Sequence, residues 1–370
     1  MACAALAARA QEGDEHALSV QGVAGEIMDT AVEHCRRGER DKALAMFGAI
    51  REQLDPPPPI LKLIRDFEQT GCTGQRAARI GTWRVQAGGG WDSNVSQGIS
   101  ARSLTLGTPG NTIDLELDPS YRPRSSAYTH ASVDYSLSIP DLGMDVRAAL
   151  GHRKNFSAPA FDLTTSSLWA ARDFPAGRLP GVVRLQGDMS EVWLGSQHYQ
   201  RNQTASAQWI QTNEAGAWVG TLSVSGLHYL KQRSQSSVVW ELGVTRELRV
   251  AAGRFVSAGV SLQKDDATGQ RPGGDRNGFQ VELGGLAAVE GWRVRPQVAY
   301  TRWLSQDIFA PGLLEVRRRN HLVQASVVAE RPLTAQTSLV LEWRGRWSHD
   351  NIALYTYRAQ SLNAALAARF

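Results

Sequence analysis

The residues able to do covalent or acid–base chemistry are few and scattered. His130, His152, His198, His228, His321 and His349 fall on separate segments, and none has a neighbour that completes a recognisable triad element. Asp265-Asp266 and Gly273-Gly274-Asp275 have the composition of a calcium loop without the ligand spacing of an EF-hand, and read as a solvated extracellular turn. The sequence therefore predicts no enzyme: no catalytic residue, no metal site and no cofactor. The charged residue that recurs is arginine, with lysine present only five times among the 40 basic residues. Arg84, Arg147, Arg184, Arg293, Arg295, Arg344 and Arg346 take alternate positions in otherwise apolar segments, with Asp188, Glu282 and Glu342 as partial partners. Such a row of guanidinium groups either selects anionic solutes or is neutralised by salt bridges inside a closed interior.

The elements that must position these arginines are strands. In residues 338–348, Leu339, Leu341, Trp343, Gly345 and Trp347 fall on one side and Ser338, Glu342, Arg344, Arg346 and Ser348 on the other, the period of a strand with one oily face. Fourteen such stretches are predicted: 80–93, 124–138, 142–154, 160–173, 180–194, 200–212, 216–231, 235–249, 253–265, 275–289, 291–304, 316–331, 335–348 and 354–370. The links between them alternate. Those at 140–142, 174–179, 213–215, 250–252, 290 and 332–334 are mostly short, and those at 94–123, 155–159, 266–274 and 305–315 are longer. A soluble sandwich or propeller has no reason to sort its loops by parity, whereas a transmembrane barrel does. The stretches also exceed the roughly 9–11 residues with which a tilted strand crosses hydrocarbon. Tryptophans recur near their ends, at Trp83, Trp91, Trp193, Trp209, Trp292 and Trp303, where amphipathic rings suit a membrane interface.

These features predict a mainly β chain: an outer-membrane β-barrel of about 14 antiparallel strands over residues 79–370, oily outside and arginine-lined within. No run approaches the roughly 18 consecutive apolar residues of a spanning helix, and the net charge of +4 gives little support to nucleic-acid binding. Leu362, Ala364, Leu366, Ala368 and Phe370 alternate up to a terminal aromatic, the kind of strand that barrel-assembly machinery recognises. Gly88-Gly89-Gly90 in the first strand either weakens a lateral seam against the last strand or permits close packing there.

Residues before 79 have different physics: all eleven tryptophans and all eight tyrosines come later. Residues 25–40 and 41–54 carry apolar side chains at helical spacing, with Gly38 between them and a proline run after them. Ala31, Gly38, Ala43, Phe47 and Ile50 fall where a tetratricopeptide unit wants small or apolar residues, and 60–70 fits a capping helix, so 22–75 is expected to be a small helical segment in the periplasm. A plain helical hairpin is the alternative. Residues 1–21 read as an export-signal remnant ending at Ala8-Arg9-Ala10, or else as a frayed terminus. Cys35 and Cys72 are either a disulfide or two free thiols.

Trp91-Asp92-Ser93-Asn94-Val95 closes the first predicted strand, Arg317-Arg318-Arg319-Asn320 opens the twelfth, and Arg346, Ser348, Asn351, Ile352, Leu354, Tyr355 and Tyr357 lead into the last. Together with the helical segment ahead of a barrel, these residues resemble the surface lipoprotein assembly modifiers, outer-membrane translocons that move lipoproteins to the cell surface. The family pattern has an acidic residue where Asn320 stands, and its members usually carry several helical repeats where this chain has room for about one. The resemblance implies a surface lipoprotein client, received at the helices with a periplasmic chaperone and passed through the lumen or between the first and last strands. Exopolysaccharide exporters share the look. A diffusion porin or exopolysaccharide export barrel with an arginine-rich lumen is thus the other reading.

Overall fold

The computed structural model describes residues 27–35, 40–53, 58–70, 80–108, 111–139, 142–177, 179–213, 215–251 and 253–370. The expected signal remnant, Gly38 and Cys72 lie outside them. Three helices come first: α1 (27–35), α2 (Arg40–Gln53) and α3 (Pro58–Thr70). Strand β1 (Ile80–Asp92) is followed by a hairpin of β2 (Ser103–Thr108) and β3 (Asn111–Glu116). Thereafter come β4 (Ser126–Ile139), β5 (Met144–Asn155), β6 (Leu163–Pro175), β7 (Val182–Leu194), β8 (Gln197–Asn213), β9 (Gly216–Tyr229) and β10 (Ser237–Ala251). The last six are β11 (Arg254–Ala267), β12 (Arg276–Val289), β13 (Trp292–Ala310), β14 (Leu314–Pro332), β15 (Thr337–Asp350) and β16 (Tyr357–Arg369).

Strands β1 and β4–β16 pair antiparallel in sequence order, and β1 also pairs with β16, which closes a 14-stranded barrel. The period of two then fixes every side chain as inward or outward. Outward positions are apolar and uncovered: Leu168, Leu185, Leu222, Leu242, Leu262, Leu283 and Leu366 are all exposed. At about 25 cal/mol per Å² of apolar surface, water opposes such a wall and hydrocarbon accommodates it.

Fourteen strands leave both barrel ends on one rim, where Trp83 and Phe370 exchange two backbone hydrogen bonds of 3.0 and 2.9 Å. We call this the turn rim and the opposite one the loop rim. Turn-rim links include Glu290-Gly291, both at positive φ, a two-residue hairpin turn whose twist matches that of the strands.

The loop rim differs from the sequence expectation in three ways. The long first loop contains the β2–β3 hairpin, whose segments are too short to show a membrane-strand pattern. Residues 305–315 are not a long loop: β13 and β14 continue through two register shifts to a tight turn in which Leu313 N–H donates to Ala310 at 3.0 Å. Pro311 and Gly312 (φ +80) supply the conformations that turn requires. The β7–β8 link is only Gly195-Ser196, so loop length does not follow parity strictly.

The helices bury a core of their own. Ala31, Ala43, Phe47, Ile50 and Ile64 are fully enclosed, and the Phe47 and Phe67 rings stack at 5.6 Å. Cys35 in this core is disulfide-bonded, its partner lying outside the described residues. Phe47→Ala should cost this cluster about 3–5 kcal/mol. The expected result is faster proteolysis within residues 27–70 with unchanged heat-modifiable migration of the barrel on gels.

Candidate functional site: the barrel lumen

The ladder register puts Arg84, Arg147, Arg184, Asp188, Glu282, Arg293, Arg295, Glu342, Arg344 and Arg346 on one face of the wall. That face is the interior. Glu330 on β14, for example, lies in the field of Arg84 on β1, two strands away across β15 and β16. The arginines do not stand bare. Arg147 meets Asp134 at 2.5 Å, Arg184 grips Asp173 through two bonds of 2.7 and 2.8 Å, and Arg344 meets Glu342 at 2.5 Å. Glu330 accepts from Ser338 at 2.7 Å and Arg369 at 3.2 Å, with Arg295 at 3.8 Å. Glu282 accepts from Gln297 at 2.8 Å. Bonds of this kind hold the guanidinium groups that make them in fixed orientations and moderate their charge.

The charge is unevenly spread around the circumference. Strands β13, β15, β16 and β1 bring Arg293, Arg295, Arg344, Arg346, Arg369 and Arg84 together on one sector. Half a turn away, β8 and β9 face inward with Gln200, Asn202, Thr204, Ser206, Ser223 and Ser225, amides and hydroxyls without charge. A cationic sector thus faces a hydrogen-bonding one across the axis.

Trp91, Asp92, Ser93 and Asn94 form an anchor at the loop rim. The Asn94 side chain, 1% exposed, donates to the Gly98 and Arg358 carbonyls at 3.0 and 2.8 Å and accepts from Gly98 N–H at 2.7 Å. Asp92 accepts from Asn94 N–H at 2.8 Å and from Arg153 at 3.1 Å. Ser93 N–H donates to the Gln360 carbonyl at 2.9 Å, and Gln360 N–H donates back to the Ser93 hydroxyl at 2.8 Å. Trp91 points outward and is exposed. These contacts bind β1 to β16 and β5, so the first-to-last seam is held at both rims. Between the rims, Gly88 and Gly90 pack tightly: an added Cβ would come within 2.2 Å of the Ala364 and Leu362 carbonyl oxygens respectively. Gly89 alternates outward, where the nearest atom is the Tyr128 carbonyl at 3.1 Å.

Two expectations are corrected here. Trp303 faces inward, opposite Gly278, with Arg276 5.1 Å over its ring, so it does not belong to the interfacial belt. Asp265 is not in a solvated turn: it lies within β11, is 1% exposed, and pairs with Arg271 at 2.9 Å and with Arg276. Burial, reinforced by Arg276, lowers Arg271 from its ordinary value, while Asp265 opposes that shift. The 268–275 loop is thereby clasped to the barrel. Local periodicity carried no trace of this pairing, because the partners lie on different segments. Three of the histidines make separate polar contacts: His130 approaches Gln86 at 3.4 Å, His152 meets Thr164 at 2.9 Å and His321 meets Tyr300 at 2.7 Å.

No protein-family model matches the chain, and no curated protein matches it. Among solved structures it is similar to an anion-selective porin from Comamonas acidovorans, at 10% identity and TM-score 0.39 over 79% of this chain and 99% of that one. The outer membrane channel DcaP of Acinetobacter baumannii aligns at 11% identity and TM-score 0.42, over 80% and 99%. A bacterial polysaccharide outer membrane secretin aligns at 9% and 0.38, over 79% and 98%.

Asn94→Ala removes the buried hub of the loop-rim anchor and should destabilise it by about 1–3 kcal/mol. A lowered thermal midpoint of the detergent-solubilised barrel checks this, with the exposed Asn351→Ala, whose bonds reach only the β14 backbone, lowering it less.

Proposed function

We propose that this chain is a bacterial outer-membrane channel for polar, anionic, hydroxyl-bearing solutes. The observation that carries the reading is the cationic sector of β13, β15, β16 and β1 facing the amide and hydroxyl sector of β8 and β9. Guanidinium groups bind carboxylate or phosphate, and amides with hydroxyls exchange hydrogen bonds with sugar-like hydroxyls. Side chains fill the interior of a barrel of about 8 strands, and the diameter grows with strand number, so this wall leaves room for solute. Its apolar exterior fits the outer-membrane lipid. In this reading the turn rim and the helices face the periplasm, and the residues expected to line the lumen are those of the arginine ladder with Asp188, Glu282 and Glu342.

One observation favours a second reading, delivery of a lipoprotein to the surface: the helical cluster with its own core adjoins β1. A client and a periplasmic chaperone would meet there, and barrel-assembly machinery would insert the barrel in either case. Because the seam is held at both rims, the lumen is the route this reading favours.

Planar-bilayer recording separates the two. The channel reading expects steady conductance with anion preference, and Arg344→Gln/Arg346→Gln should reduce the anion-to-cation permeability ratio about twofold. Silence of the folded barrel, or a ratio unchanged by the substitutions, would count against it. Deleting residues 22–75 should leave the conductance intact, whereas loss of surface display of a lipoprotein client after that deletion would establish the second reading.

A further inference from the structure

The run Arg317-Arg318-Arg319-Asn320 is split by the strand period. Arg318 turns inward to Asp350 at 2.8 Å and stacks on Tyr355 at 3.5 Å, and Asn320 donates to the same carboxylate at 3.1 Å. Arg317 and Arg319 turn outward and are exposed; their backbone is held by the Asn351 side chain, which leaves their guanidinium groups uncommitted. On the same outward face Arg302 of β13, His321 of β14 and His349 of β15 stand directly opposite one another in the ladder, and Arg358 of β16 follows opposite Trp347. Directly opposed residues lie about 5 Å apart, and the two histidine rings are 6.5 Å apart.

Three observations set this patch apart. Among the described residues, none of Arg302, Arg317, Arg319 and Arg358 forms an ion pair, and the Nε of Arg302 is buried without a hydrogen-bond partner. Elsewhere on the outward loop rim Arg201 pairs with Glu191 at 2.7 Å and Lys264 with Asp266 at 2.8 Å, and Lys154 of β5 is a single exposed cation without arginine neighbours in the ladder. On the outward turn rim, Arg172, Arg246 and Arg331 sit on separate strands, each over an aromatic ring. The patch also lies just beyond the outward rings of Tyr300, Trp343 and Trp347, at the height where acyl chains give way to headgroups. The only outward carboxylate of β13–β16 beside it is Glu315, nearer the turn at the tip of β14.

We infer that the outer wall at the loop rim of β13–β16 binds the phosphate groups of an anionic outer-leaflet lipid. Guanidinium groups spaced along a strand ladder suit a headgroup with more than one phosphate, each able to accept paired N–H bonds, and the surrounding low dielectric strengthens them. The inference rests on the membrane-embedded orientation proposed above, not on what passes through the lumen.

The test uses the full chain in neutral detergent, native mass spectrometry, and three probes: diphosphorylated lipid A, its dephosphorylated form, and inorganic phosphate. Retention of the diphosphorylated lipid at least tenfold above the dephosphorylated one is expected, with Arg302→Gln/Arg319→Gln/Arg358→Gln lowering it about tenfold and Arg172→Gln/Arg331→Gln leaving it unchanged. Arg319→Gln alone, at an exposed side chain, should lower retention measurably and covers the case in which the triple variant fails to fold. Equal retention of both lipids, full retention by the variants, or binding of inorganic phosphate without lipid would overturn the assignment. Conductance in a neutral-lipid bilayer should be the same for wild type and Arg319→Gln; its absence in both would instead strike the channel reading.

Discussion

The meeting of β1 with β16 is the constraint on which the molecule depends. Hydrocarbon offers no partner to a peptide N–H or C=O, so a sheet immersed in it has to end where it began. Here the junction is secured along its whole length. Small residues face each other along its length, Gly88 against Ala365 and Gly89 against Ala364. Tyr128 reaches over Gly90 to cover the space that a missing side chain leaves. Backbone bonds between Trp83 and Phe370 finish one end, and the Ser93 and Asn94 bonds finish the other. Sequence segments separated by most of the chain are thus brought into register before the wall can be stable.

Once the sheet is closed, alternation decides the rest. A residue's neighbours along the strand see the opposite solvent, which is why three consecutive arginines can serve different purposes: Arg318 braces the interior of the loop rim while Arg317 and Arg319 meet whatever surrounds the barrel. The interior is held by cross-strand ion pairs such as Arg184 with Asp173, so its charge pattern is built into the wall. In the channel reading proposed above, such fixed positions are what would discriminate between solutes.

Much of this was legible in the sequence because hydrocarbon on one side and water on the other impose a period that no local turn obscures. Residues 338–348 display their inward and outward faces directly. What periodicity cannot convey is the identity of a neighbour. It places Arg147 on an inward face without pointing to Asp134 as its partner, and it reads Asp265 as solvated because Arg271 and Arg276 reach it from the following loop and strand. The β2–β3 hairpin leaves no such trace, since six-residue segments over a rim need no membrane pattern. Trp303 reads as interfacial in the sequence because proximity to a strand end identifies height on the barrel but not side. The motif around Trp91 to Asn94 stood out as a sequence signature, and the structure gives it a mechanical meaning: it joins the first loop to the last strand.

That junction also sets a chronology. The amide of Asn94 reaches across 264 positions of chain to the carbonyl of Arg358, and Ser100 N–H reaches Thr356 at 2.9 Å. The loop between β1 and β4 emerges early in synthesis, yet it cannot adopt its final shape until β16 has arrived beside β1. Its final contacts therefore require the closed cylinder, and the state of this one loop reports on whether the wall behind it is complete.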